Sequence, residues 1–144
     1  DRTLRPTKTG PMAKLLYSFG KMPLLFSGEL IDPELRPPVN MEPSESVEYG
    51  EYLAASCTGC HTPKFSGGPI AGLPPDFPPA SDLTPSGNLA HWTFEQFKQT
   101  LTTGKTPEGK KLDPKYMPWT TTAVMSDVEL MALYNFLKSL PPSK

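Results

Sequence analysis

Spare cysteine is the first thing this chain lacks. Only two occur among 144 residues, at positions 57 and 60, and both fall in one short motif, so no disulfide framework can form around them. Long apolar runs are missing too. Nothing approaches the roughly 20 residues of a membrane span, and no basic-then-apolar leader opens the sequence, which points to a soluble mature protein or one whose anchor has been removed. The formal net charge of −1 excludes the strongly basic surface that nucleic-acid binding demands. Hydrophobic residues make up 37% of the chain, enough for only a modest core. Alternating strand patterns are absent. What the chain has in quantity is proline, 19 residues, which makes it rich in loops.

Against that background stands Cys57-Thr58-Gly59-Cys60-His61. Two thiols three positions apart with an imidazole next in line is the attachment signature of c-type haem. The spacing follows from the chemistry: each sulfur adds to one vinyl group along an edge of the porphyrin, and the following histidine lies under the iron as an axial ligand. A thioredoxin-type redox pair shares the two thiols but needs no histidine there. Zinc needs about four ligands, so it would have to recruit His91. One haem c per chain is therefore expected, and it would supply apolar volume to a small, proline-rich fold.

Residues 1–43 form a motif-free extension with prolines at 6, 11, 23, 33, 37, 38 and 43. Its apolar cluster, from Leu15 to Phe26, is interrupted by Gly20 and Pro23, so no long helix is expected there. Residues 44–144 form the second domain. A helix starting near Ser44 carries Val47, Gly50, Tyr52 and Leu53 towards the cysteines. Residues 62–90 alternate glycine and proline and read as a loop around a cofactor edge. Thr93-Phe94-Glu95-Gln96 has capping-box spacing, Phe97 and Leu101 continue its apolar face, and Gly104 ends that helix. Ser126-Asp127-Val128-Glu129 opens the last helix, whose stripe Leu130, Leu133, Tyr134 and Leu137 runs up to Leu140-Pro141-Pro142.

The second axial position decides the chemistry. A protein ligand there closes the iron and favours electron transfer, whereas an open position makes a haem enzyme or gas sensor. Met117, in the loop Tyr116-Met117-Pro118-Trp119, is the leading candidate because Pro118 stiffens the loop. His91 is the rival, while Met125 and Met131 read as core residues. A histidine/methionine pair raises the reduction potential relative to two histidines. The charges are unevenly spread. Glu29, Asp32, Glu34, Glu42, Glu45, Glu48 and Glu51 make one stretch acidic, and Lys98, Lys105, Lys110, Lys111 and Lys115 cluster later, either as solvated faces or as a surface that steers a redox partner.

From about Val47 to Leu140, two thirds of the chain, the sequence closely resembles a class I cytochrome c domain. Val47-Glu48-Tyr49-Gly50 and Leu133-Tyr134-Asn135-Phe136-Leu137-Lys138 are similar to the family's two crossing terminal helices, with Gly50 against Phe136. Gly68-Pro69-Ile70-Ala71-Gly72-Leu73 resembles the family stretch that lines the haem. The resemblance implies that Ile70 and Leu73 contact the macrocycle and that the Pro69 carbonyl accepts the His61 Nδ1 proton. It also implies a bond from the Trp92 indole to a haem propionate, although a buried aromatic is an equal reading of that residue.

The implied fold is all-α, three or more main helices around one covalently bound haem, with long loops and an irregular N-terminal extension. More narrowly, Asp82-Leu83-Thr84-Pro85, the run at 103–109 and Met117-Pro118-Trp119 look like cytochrome domains of membrane-bound bacterial respiratory and dehydrogenase complexes. These are often anchored and multi-haem, and the opening Asp1-Arg2-Thr3-Leu4-Arg5-Pro6 resembles a connector between such domains. That likeness implies an electron carrier in the periplasm or on the outer membrane face. Its donor would be a quinol or dehydrogenase complex and its acceptor an oxidase or another cytochrome. Membrane contact would come through a missing anchor or a partner complex.

Overall fold

The structure, a computed structural model, describes residues 10–19, 41–74 and 76–143. The chain divides into two units, Asp1–Asn40 and Met41–Lys144. In the first, α1 spans Pro11–Ser18. Proline suits the first helical position, where its missing N–H costs nothing, so Pro11 starts this helix rather than breaking it. At eight residues α1 is short, as the interrupted pattern requires, and Met12, Leu15 and Phe19 are exposed. The apolar residues Met22, Leu24, Leu25 and Phe26, the acidic Glu29, Asp32 and Glu34, and the connector-like opening all lie outside the described residues.

The second unit holds the remaining helices. Helix α2 covers Val47–Ala54 and is capped by Ser46, whose hydroxyl accepts from the Tyr49 N–H at 3.1 Å. The cap therefore sits two residues beyond Ser44, which instead hydrogen-bonds the Ser46 hydroxyl. A 3₁₀ turn, Ala55–Cys57, leads directly into α3, Thr58–His61. Helix α4, Phe94–Thr103, has the expected capping box between Thr93 and Gln96 and ends at Gly104 in the left-handed region, φ 69°. Helix α5, Asp127–Ser139, opens on the reciprocal bonds of Ser126 and Glu129. Among the described residues no strand forms; Gly68–Ala80 and Lys105–Lys111 are isolated antiparallel bridges.

The core grows from the contact of α2 with α5. A Cβ on Gly50 would lie 2.1 Å from the Ala132 carbonyl oxygen and 2.7 Å from the Phe136 Cβ, so only glycine permits this approach. Ala54, Leu130, Leu133, Phe136 and Leu137 are buried there together with Phe97 and Leu101 of α4. Each fully buried leucine or phenylalanine contributes about 1.5–3 kcal/mol relative to exposure. Phe65, from the loop after α3, meets Phe136 edge to face with ring centroids 5.4 Å apart. The Tyr134 hydroxyl donates to the Trp92 carbonyl at 2.9 Å, which holds the start of α4 on α5. The unit is all-helical among the described residues, and the thiol-bearing turn continues directly from α2.

Candidate haem-attachment site

One almost unbroken helical path, Val47 to His61, delivers the motif. Residues three apart share a helical face, so Cys57 and Cys60 lie one turn from each other. Both are free thiols, Cys57 half-buried against the core and Cys60 exposed. Burial pushes the Cys57 thiol up, against a small opposing pull from the Ser56 hydroxyl, so it stays protonated.

His61 is buried, with 7% of its surface exposed. Its Nδ1 lies 2.8 Å from the Ser81 carbonyl oxygen. A carbonyl only accepts, so Nδ1 carries the proton and Nε2 keeps its lone pair. Burial lowers the imidazole's pKa and outweighs the raising effect of the Ser81 bond, which keeps the ring neutral. A neutral imidazole with one nitrogen anchored and the other basic is ready to bind iron.

The acceptor is Ser81, not the expected Pro69. Gly68 and Ala80 exchange both backbone hydrogen bonds at 2.9 Å, and this bridge folds residues 80–81 back over the loop. Gly67 makes the approach possible: its φ is +66°, and a Cβ there would lie 2.5 Å from the Ser81 oxygen. Pro69 faces solvent, Ile70 is half-buried and Leu73 is exposed. Two non-glycine residues of this loop, Thr62 and Phe65, take positive φ values of 68° and 57°. Such backbone strain costs about 1–3 kcal/mol per residue and persists only where packing imposes it, here through the buried Phe65 ring.

Met117 is half-buried and packs against the core, as do Cys57 and Trp92. Its N–H donates to the Asp113 carbonyl at 3.0 Å, and its carbonyl accepts from the Trp119 N–H at 2.7 Å. Trp119 lies over Gly104 and donates its indole N–H to the Leu112 carbonyl at 3.0 Å. This anchor was missed in the sequence, where only its place two residues after Met117 marks it. His91 is exposed at the end of the 3₁₀ turn Asn88–His91, and Met125 is half-buried against the core.

Trp92 is half-buried, and its indole N–H donates to a Glu108 carboxylate oxygen at 2.8 Å. That bond holds the Glu108 carboxyl below its usual range. The tight turn at 106–109, closed by the Gly109 N–H on the Thr106 carbonyl, brings Glu108 to the indole, so the donor foreseen for a propionate has a carboxylate partner from the chain itself.

The donor set fits a c-type haem: two free thiols on one helical face, then a neutral imidazole with Nε2 unprotonated. It does not fit a bare ion, because among the described residues no three His, Cys, Asp or Glu side chains converge as a metal site. The zinc reading thus has no fourth ligand in His91.

Comparison with known proteins agrees. The chain is 28% identical over 120 residues to a nicotinate dehydrogenase subunit of Pseudomonas putida, a match covering 78% of this chain and 10% of that protein. It is 32% identical over 99 residues to the gluconate 2-dehydrogenase cytochrome c subunit of Pantoea cypripedii, covering 62% of this chain and 22% of that subunit. The chain thus spans only about a tenth and about a fifth of these two relatives. The profile of the cytochrome c family matches residues 47–141, from the first residue of α2 to just beyond α5. That span encloses the glycine crossing, both thiols and the anchored imidazole, and the chain belongs to the cytochrome c family.

Proposed function

We propose that residues 44–144 form a one-electron carrier domain in which His61 and Met117 are the two axial ligands of a single haem c. The observation that carries this reading is the orientation of His61, proton on Nδ1 and lone pair on Nε2, directly after two free thiols. Cys57 and Cys60 would hold the group by thioether bonds, and His61 Nε2 and the Met117 thioether would ligate its iron. When bound, the haem supplies a reversible one-electron couple. The chain's own residues set how that couple behaves. The Ser81 carbonyl orients the imidazole and raises its basicity, while the apolar core around Phe65, Leu89 and Phe97 provides a low-dielectric flank.

Exposed Lys105, Lys110, Lys111 and Lys115, in the stretch between α4 and Met117, would attract an acidic redox partner. Lys98 is set apart from them, held by Asp127 at 2.7 Å. The names of the two relatives support a partner of the dehydrogenase type as donor. An oxidase or a second cytochrome completes the proposal as acceptor. Among the described residues no helix is long and apolar enough to cross a membrane. Periplasmic placement, with contact to the membrane through a partner or an anchor, is the setting this chemistry suits. No substrate bond is made or broken by this domain. Stopped-flow mixing of the reduced protein with an oxidised acceptor cytochrome tests the reading: rapid electron exchange that slows with salt supports it, and no exchange refutes it.

A further inference from the structure

Immediately after Ser81 the backbone enters a compact knot of hydrogen bonds whose far partner lies beyond the end of α5. Asp82 Oδ1 accepts from the Thr84 N–H at 2.7 Å, and the second oxygen of the same carboxylate accepts from the Ser143 hydroxyl, 61 positions along the chain. The Thr84 hydroxyl, in a residue only 2% exposed, accepts from the Ser143 N–H and the Ser86 N–H, both at 3.2 Å. The Ser86 hydroxyl donates to the Ser143 carbonyl at 2.9 Å. Gly87 closes the turn so tightly that a Cβ would lie 2.1 Å from the Asp82 carbonyl oxygen.

Ser81 is thus held from both sides, by the Gly68–Ala80 bridge before it and by this knot after it. The Leu83 N–H adds a bond of 2.8 Å to the carbonyl of strained Phe65. Three polar residues of a loop and one serine after the last helix are more than an exposed turn requires. What they fix is the carbonyl that orients His61.

We infer that Asp82, Thr84, Ser86 and Ser143 form a clamp that holds the Ser81 carbonyl on His61 Nδ1, making the segment after α5 a positioning element of the haem site. The inference rests on His61 being an axial ligand. A firmly held acceptor pulls the Nδ1 proton and increases the electron density at Nε2, which favours ferric iron. Loosening the clamp weakens that pull and shifts the couple towards ferrous iron.

The test uses the haem-loaded protein with Ser143→Ala and, separately, Thr84→Val. Both variants are expected to favour the ferrous form by about threefold, equal to about 28 mV at 59 mV per tenfold change for one electron. Exchange of the His61 Nδ1 proton, followed by proton NMR of the reduced protein, is expected to accelerate about tenfold. Ser143→Thr keeps the hydroxyl and is expected to restore both values. Asn135→Ala removes an unrelated bond, from Asn135 to the Glu45 carbonyl, and is expected to lower the melting temperature while leaving potential and exchange unchanged. Unaltered exchange and potential in both clamp variants overturn the clamp alone. Absence of a haem-shifted imidazole resonance in the unsubstituted protein overturns the axial-ligand reading and the clamp with it.

Discussion

Gly104 lies directly beneath the Trp119 indole, so close that a Cβ on residue 104 would sit 2.4 Å from both Cε2 and Nε1 of the ring. The same glycine ends α4 with φ 69°, a conformation that other residues reach only at a cost. One position thereby joins the end of a helix to the loop carrying Met117, since the Trp119 N–H is bonded to the Met117 carbonyl. Gly104→Ala is expected to destabilise the folded domain by about 1–3 kcal/mol and to loosen Met117. Urea unfolding measures the first effect. Loss of the weak red absorption band of iron–methionine ligation, at a lower pH than in the parent, measures the second.

Met117 itself separates the closed electron carrier from an open haem enzyme or gas sensor. Carbon monoxide is expected to bind slowly to the reduced parent and at least about tenfold faster to Met117→Ala, with a fall in reduction potential as the thioether is lost. Equal, rapid binding in both proteins supports the open-site alternative.

At the crossing of α2 and α5, Gly50→Ala forces a methyl group against the Ala132 carbonyl. Overpacking of this kind costs about 1–3 kcal/mol. The domain is expected to retain its haem spectrum at room temperature but to unfold at a lower urea concentration. An unchanged midpoint would mean that the helices separate without loss.

Acid is expected to weaken the fold through Asp82. Burial raises its pKa, but hydrogen bonds from Ser143 and Thr84 outweigh it, so the folded value lies below the ordinary one. Glu129 is lowered likewise by its bonds to Ser126. A depressed carboxyl contributes stability that is complete above its unfolded pKa, about 4, and is lost as pH falls through the folded value. Urea midpoints measured from neutral pH down to about pH 3 are expected to fall for the parent and to fall less steeply for Asp82→Asn.

Local chemistry was legible in the sequence where neighbours in the chain decide the outcome. The Thr93 and Ser126 capping boxes, the Gly104 stop and the thiol–imidazole motif all depend on spacings of a few residues, and the structure has them. Gly50 against Phe136 was readable through family resemblance because the close approach permits only glycine. Contacts closed by long loops were not. Whether Pro69 or Ser81 accepts from His61 is settled by the Gly68–Ala80 bridge, and whether Trp92 meets Glu108 by the turn at 106–109. Neither pairing leaves a local signature. The glycines and prolines of residues 62–90 were legible as loop, but nothing near Asp82 or Thr84 in sequence points to Ser143. The sequence excluded a long helix in the extension, and the eight-residue α1 agrees; its start at Pro11 follows from proline's fit to the first helical position.

The most direct test of the account is an absorption spectrum of the denatured, natively expressed protein in alkaline pyridine, which reports how many thioether bonds tie the haem to the chain. The account predicts one haem per chain with both Cys57 and Cys60 linked. A colourless protein in which both thiols react freely with a thiol reagent would contradict it.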